Sequence, residues 1–344
     1  MSKSKLKPKH ILVIRLSAMG DVAMTIPVLR AFTAQYPDVK ITVLTREFFK
    51  PFFRDLENVS IFLPDLKGKH KGFFGLLELS KELRLLGINA VADLHNVLRT
   101  KILKIFLLDL KPVQIDKGRV EKKALVNGKI FEQLKTTHQR YKDVFEKLGY
   151  PIIDSEPHFP ERTELNLRTL EIVGKDTRKW IGIAPFAAHK SKMYPLSSME
   201  EVIKELSKNY KILLFGGKAE VEYLSTLENE SILSIAGKLS LDEELDVISN
   251  LDVMLSMDSG NAHMAAMLGI EVVTLWGVTH PYAGFYPFHQ DENNALLADR
   301  EKFPKIPTSV YGNKFPEGYE ECMKTIPPNE VVEKLEYILK KPCS

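Results

Sequence analysis

Cysteine is almost missing from this chain of 344 residues, which has only Cys322 and Cys343. Two cysteines do not make the disulfide framework of a small secreted domain, and they lack metal-site spacing. A reducing compartment is the simplest reading. Long hydrophobic runs are missing as well. No stretch approaches the roughly twenty apolar residues of a membrane-spanning helix. The basic start MSKSKLKPKH leads into an apolar run over residues 11–14 that is too short for a signal-peptide core. A cytoplasmic location is therefore expected. A strong charge of one sign is the third absence. The 48 basic and 45 acidic side chains leave a formal net charge of +3, too mild to point to nucleic acid.

What is present is an ordinary globular composition, 44% hydrophobic and 27% charged. The length suggests two domains, because single cores rarely grow beyond roughly 250–300 residues. Short β-rich runs alternate with helical patterns. Strands are expected at 10–16 (HILVIRL), 40–45, 59–63, 89–94 and 112–116, with helices between them, including one over 73–86 and one from 97 to 108. Residues 150–162 carry three prolines and little periodicity, as a linker would. The alternation then restarts with strands at 179–184, 210–215, 232–236, 252–256 and 271–275. Residues 280–325 read as loop, and an amphipathic helix over 329–340 closes the chain. Strand–helix alternation of this kind implies doubly wound parallel sheets. The expected division is 1–160 as a first domain, 161–328 as a second, and 329–344 as a terminal helix and tail. A ligand cleft would lie between the two large domains, at the carboxyl ends of the strands.

Chemistry-bearing motifs stand just after strands. Arg15-Leu16-Ser17-Ala18-Met19-Gly20-Asp21 follows the first strand. Gly20 permits a tight turn or a close backbone approach, and Asp21 reads equally as a helix N-cap or as a functional carboxylate. This turn lacks the G-x-G-x-x-G pattern, which disfavours a dinucleotide dehydrogenase, and it lacks the phosphate-loop lysine motif. In the second half, Asp258-Ser259-Gly260 precedes a small, apolar helical run containing His263. A helix N-terminus at Ser259 is a natural anion site, because its backbone N–H groups and dipole face the ligand. Asp258 would orient that loop or bond a sugar hydroxyl, while a histidine such as His263 is as often a satisfied core residue as a ligand. Residues 184–195 carry Lys190 and Lys192, and lysine binds phosphate as a point charge. Glu220, after the strand at 210–215, could hold ribose hydroxyls, although an acid in a helix first turn is common for dipole reasons. The segment 101–110 (KILKIFLLDL) is very apolar. It reads first as a buried helix, and with the basic start it leaves a peripheral membrane contact open.

Several of these stretches together resemble the ADP-heptose:lipopolysaccharide heptosyltransferases of glycosyltransferase family 9. They are ILVIRLSAMGDVAMTIPVLRAF, the loop joining Lys192 to Pro195, DSGNAHMAAMLGIEVVTLWGVTHP and ECMKTIPPNEVVEKL, which occur in family order. The resemblance implies a GT-B architecture of two Rossmann-like domains, of which the first, 1–160, is the acceptor side and the second, 161–328, binds the nucleotide sugar. It further implies inverting, metal-independent transfer of a heptose from ADP-heptose to a lipid-linked inner-core glycan, without a cofactor. By that likeness Asp21 is the general base, Lys192 meets the donor phosphates, and Gly20, Glu220, Asp258, Ser259, Gly260 and His263 bind the donor. Segment 93–99 is similar to the family's acceptor side, with His95, Asn96 and Arg99 as acceptor contacts. Some members have threonines where this chain has Ala187 and Ala188, so phosphate contacts here would rest more on backbone N–H groups and Lys192. The rival readings are a nucleotide-sugar 2-epimerase on the same architecture and a non-catalytic nucleotide-sugar or glycan-binding protein.

Overall fold

A computed structural model describes residues 7–153 and 156–341. Cys343 and most of the basic start lie outside the described residues. The chain divides into two compact units. The first comprises residues up to Lys117 together with Thr137–His158, and the second comprises Gly118–Thr136 and everything from Phe159 onward. The crossing at His158–Phe159 falls inside the proline-bearing stretch.

In the first unit five strands form one parallel sheet: β1 (His10–Ile14), β2 (Lys40–Leu44), β3 (Val59–Phe62), β4 (Ala90–Asp93) and β5 (Pro112–Gln114). Their spatial order is β3-β2-β1-β4-β5, and every pairing is parallel. β1 is central. Four of its five residues are buried, as its continuous run of aliphatic side chains requires when both sheet faces are covered. Leu12, Ile14, Leu44 and Val91 of the sheet pack with Leu76, Leu79 and Leu83 of the helix Gly72–Leu85 and with Leu103 of the helix Leu98–Phe106. The helix expected after β1 is broken at Met24 into Met19–Ala23 and Thr25–Gln35. Pro27 explains the break, since it has no N–H for residue 23 and its ring crowds that carbonyl.

The second unit carries β6 (Trp180–Ala184), β7 (Lys211–Leu214), β8 (Ile232–Ser234), β9 (Val253–Met257), β10 (Val272–Trp276) and β11 (Ala295–Leu297). All are parallel, in the order β11-β10-β9-β6-β7-β8, which is the doubly wound order of dinucleotide-binding folds. The stretch 280–325, expected as loop, holds β11 and three 3₁₀ turns, Pro281–Ala283, Glu292–Asn294 and Tyr319–Thr325. A three-residue strand is too short to leave a periodic signature. The terminal helix Pro328–Lys340 packs on the helix Leu196–Leu206 through Val331 and Leu335, which belong to the core of this unit. Segment Gly118–Thr136 joins the unit because Leu125 and Leu134 bury against Ala283, and because the Leu134 N–H donates to the Tyr282 carbonyl at 3.0 Å. Among the described residues, no helix is long and apolar enough to cross a membrane.

The turn after β4 is built on one carboxylate. Asp93 is fully buried. Its Oδ1 accepts the backbone N–H groups of His95 (3.0 Å) and Asn96 (2.8 Å), and its Oδ2 accepts the Thr100 hydroxyl (2.9 Å) and meets Lys104 Nζ at 2.7 Å. Breaking a buried ion pair from one side strands the other charge, which typically costs about 3–5 kcal/mol. We therefore expect Asp93→Ala to destabilise the first unit by about that amount, measured by urea denaturation, and Asp93→Leu/Lys104→Met to recover only the part due to the stranded lysine, because the His95 and Asn96 N–H groups and the Thr100 hydroxyl still lack their acceptor. A loss under about 1 kcal/mol for the single variant would remove this carboxylate from the role of organising the turn.

Candidate active-site residues

In each unit the strand order reverses beside the first strand, and the loops leaving the two strands at that point diverge. In the first unit these strands are β1 and β4. The chain leaves β1 through Arg15, which is buried although it is always charged. Its Nη1 donates to the Leu94 carbonyl at 2.6 Å, and its Nη2 pairs with Asp21 Oδ2 at 2.5 Å. Asp21 is the third residue of the helix Met19–Ala23, not its N-cap, which is Ala18. The same Oδ2 accepts the Ala18 N–H at 3.3 Å. Oδ1 has no hydrogen-bond partner among the described residues, and the side chain is about a quarter exposed, at 28%. The buried Tyr141 donates its hydroxyl to the Asp21 backbone carbonyl at 3.1 Å, anchoring this turn from below. Gly20 is helical and has no positive φ, so the tight-turn reading of this glycine does not hold. Its carbonyl accepts the Met24 N–H at 2.9 Å as an ordinary helical group.

Across the same point, His95 at the end of β4 is buried and its Nε2 lies 3.3 Å from Ser17 Oγ. Burial first, then the neighbouring cations Arg15 and Lys117, push its pKa down to about 4, so the ring is neutral near pH 7. Asn96 adopts a left-handed conformation, φ 45°, and its amide donates to the Ile115 carbonyl at 3.0 Å. His95 and Asn96 thus form the turn. Arg99, the second residue of the next helix, is exposed and lines a cavity of about 690 Å³ together with Arg46 and Lys67 and with the acids Glu47 and Asp65.

In the second unit the reversal falls between β6 and β9. Lys192 ends a 3₁₀ turn, Lys190–Lys192, on the loop after β6. Its Nζ meets Asp258 Oδ2, after β9, at 2.9 Å. Asp258 is buried, and the same oxygen accepts the Thr279 hydroxyl at 2.9 Å. Two glycines seat the lysine turn. A Cβ on Gly277 would stand 2.8 Å from the Ser191 carbonyl oxygen, and one on Gly312 would stand 2.6 Å from the Lys192 side chain. Gly312 also has φ +80° and receives the Ser191 hydroxyl on its carbonyl. The helix Gly260–Met267 starts at Ser259, whose side chain does not cap it but lies 3.0 Å from Ser256 Oγ. Its first N–H groups therefore have no side-chain cap and carry the positive end of the helix dipole. His263 is buried on this helix. Glu220 stands directly before the helix Val221–Ser225, and its carboxylate makes no hydrogen bond or ion pair within the described residues.

The arrangement brings Lys192, Asp258 and Ser259 together, as the motif reading required. It adds partners to which that reading assigned no role: Arg15, Tyr141 and Thr279. A charged Arg15 ending an aliphatic strand was a visible signal of an internal ion pair. Nothing local could have pointed to Tyr141 or Thr279, whose neighbours are set by the packing of distant segments. Among the described residues, no group of three or more His, Cys, Asp or Glu side chains is placed to hold a metal ion.

Comparison with known proteins identifies the family. The family described as glycosyltransferase family 9 (heptosyltransferase) matches residues 79–312. The chain is similar to the lipopolysaccharide core heptosyltransferase OpsX of Haemophilus influenzae, 24% identical over 291 residues and covering 80% of each. Among solved structures, it is similar to the family 9 glycosyl transferase of Veillonella parvula, with a TM-score of 0.75, 22% identity, and coverage of 96% of this chain and 97% of that one. It is also similar to the E. coli ADP-heptose lps heptosyltransferase II, with a TM-score of 0.68, 20% identity, and coverage of 96% and 98%. These likenesses carry the fold, the GT-B type with two parallel α/β units. Because the family match spans more than half of its length, this chain belongs to glycosyltransferase family 9, the heptosyltransferases.

Proposed function

We propose that this glycosyltransferase transfers a heptose from ADP-heptose to an inner-core sugar of a lipid-linked glycan, with inversion at the anomeric carbon. The relatives named for ADP-heptose and lipopolysaccharide core chemistry support the substrates. The observation that carries the donor side is the Lys192–Asp258 pair, which holds a cation beside a helix N-terminus lacking a side-chain cap. A leaving diphosphate needs such a combination of fixed cation and aligned N–H groups. Glu220, whose carboxylate has no partner among the described residues, is assigned to the ribose hydroxyls. Ser259, Gly260 and His263 are assigned to the donor, with Asp258 positioning Lys192.

On the first unit, Asp21 is the general base. Arg15 and the Ala18 N–H hold Oδ2, which leaves Oδ1 to take the proton. The acceptor hydroxyl oxygen forms the new bond to the anomeric carbon as its proton passes to Oδ1. The bond from that carbon to the diphosphate breaks, and its electron pair leaves with ADP. Arg99, with Arg46 and Lys67 beside it, is assigned to an acidic group of the acceptor, while His95 and Asn96 shape the turn that presents it. The scheme draws on no metal and no cofactor.

A lipid-linked acceptor also gives meaning to the outer face of two helices. Of the segment 101–110, Leu103, Lys104 and Leu107 are buried, whereas Ile105 and Leu108 are exposed, Ile105 at 62%. Phe73 packs on Phe106 at 5.1 Å, and its neighbour Phe74 is 81% exposed. Lys71, Lys101 and Lys111 are exposed and make no ion pair among the described residues. Exposed apolar side chains and exposed lysines in the same segments suit an anionic membrane surface.

Asp21→Asn is expected to lower kcat by about 10²–10⁴ with ADP affinity unchanged, measured by product formation from ADP-heptose on a core acceptor. Near-normal turnover in a folded variant would exclude Asp21 as the base. For Lys192→Ala, calorimetry should find ADP bound about tenfold or more weakly, the loss of one charge-assisted phosphate contact. Unchanged affinity would leave Lys192 a structural partner of Asp258. With vesicles containing phosphatidylglycerol, the protein should co-sediment and Phe74→Ser/Ile105→Ser should largely abolish this; equal sedimentation of the two proteins would reject the helix face as the contact.

A further inference from the structure

A second concentration of positive charge lies in the second unit, apart from the residues assigned to the donor. It is a cavity of about 660 Å³ with Arg300, Lys305 and Lys314 on its wall, Phe131 and Phe315 among its apolar lining, and no acidic residue lining it. Arg300 is held rigidly there. Its guanidinium carbon stacks 3.4 Å above the centre of the Phe131 ring, and its Nε donates to the Ile306 carbonyl at 2.9 Å. Both terminal guanidinium nitrogens are left without a hydrogen-bond partner among the described residues. Lys305 and Lys314 likewise make no ion pair there. The nearest acid before Arg300 in sequence, Asp299, is engaged by Lys302 and by the N–H groups of Glu301 and Lys302.

Three cations around one cavity repel one another in the absence of a counter-charge, and the planar fork of an immobilised guanidinium matches a phosphate. An arginine already ordered by stacking loses little further freedom on binding. The aromatic rings beside it offer an apolar surface to the C–H face of a pyranose. We propose that this cavity is a binding site for a phosphorylated saccharide. The phosphate lies against Arg300, Lys305 and Lys314, and the sugar ring packs on Phe131 or Phe315. The site goes beyond the donor and acceptor roles given above and can be tested without turnover. It adjoins the donor loop through one segment of chain: Gly312, which seats Lys192, stands two residues before Lys314.

The test is titration of the full-length protein at low ionic strength with glucose 6-phosphate, glucose and inorganic phosphate. Glucose 6-phosphate is expected to bind, glucose not to bind, and inorganic phosphate to bind more weakly than the sugar phosphate. Lys305→Gln/Lys314→Gln, which alters two exposed side chains, should weaken glucose 6-phosphate binding at least tenfold while ADP affinity stays within twofold. Phe131→Ala, which removes the platform under Arg300, should weaken it as well. Unchanged binding in the double-lysine variant, or competitive displacement of glucose 6-phosphate by ADP, would overturn the proposal, since the second outcome places the ligand in the donor site. A bis-phosphorylated glucosamine disaccharide carrying acyl chains distinguishes the sources: tighter binding than glucose 6-phosphate identifies a glycolipid head group, and equal binding a free sugar phosphate. If this site fails while ADP still binds wild-type protein and Lys192→Ala does not bind it, the donor assignment stands alone.

Discussion

A charged pair at the point where a parallel sheet reverses its strand order is the constraint on which both halves of this molecule rest. In the first unit Arg15 meets Asp21 at 2.5 Å, and in the second Lys192 meets Asp258 at 2.9 Å. Each pair lies at the carboxyl end of a central strand, where the crossovers diverge to opposite faces and leave polar loop atoms uncovered. The middle of a strand buried on both faces is costly for a charge, so charged side chains gather at strand ends and in the loops beyond them.

The two pairs are built for different work. Arg15 is buried and fixed by the Leu94 carbonyl as well as by Asp21, so it behaves as part of the scaffold. It occupies one carboxylate oxygen and leaves the other open. In the second unit the roles are exchanged. Asp258 is the anchored partner, held by Thr279, and the lysine is the group to which a function is proposed. An anion arriving at the helix Gly260–Met267 would meet a cation that is already oriented, and preorganisation of this kind is where electrostatic catalysis gains most. The anchoring groups matter as much as the functional ones, because a long lysine side chain without Asp258 and the two seating glycines would sample many rotamers.

The fold was legible because its signal is local. Residues 11–14 are a continuous aliphatic run and 253–257 a largely apolar one, and the motifs that follow them announce loops and helix starts at positions the structure retains within a residue or two. The misses have local causes too. β11 is three residues long and shows no period, and Pro27 divided a helix whose apolar spacing continues through the break. Segment Gly118–Thr136 reads as an ordinary part of the first half, yet its Leu125 and Leu134 bury against residues near 283, far along the chain. Hydrophobic periodicity reports that a face will be covered but does not say by what.

By itself the sequence determined the doubly wound parallel class, the two-part organisation and the residue types at the strand ends, because these follow from patterns within about twenty neighbouring residues. Only the tertiary structure decided which oxygen of Asp21 is left open, that Asp258 holds Lys192, and that His95 is neutral and built into a turn. It also decided that Phe131 carries Arg300 over a basic cavity. Each of these is a contact between segments far apart in the chain, and such contacts are chosen by the closure and packing of the whole sheet-and-helix assembly, which no local spacing encodes.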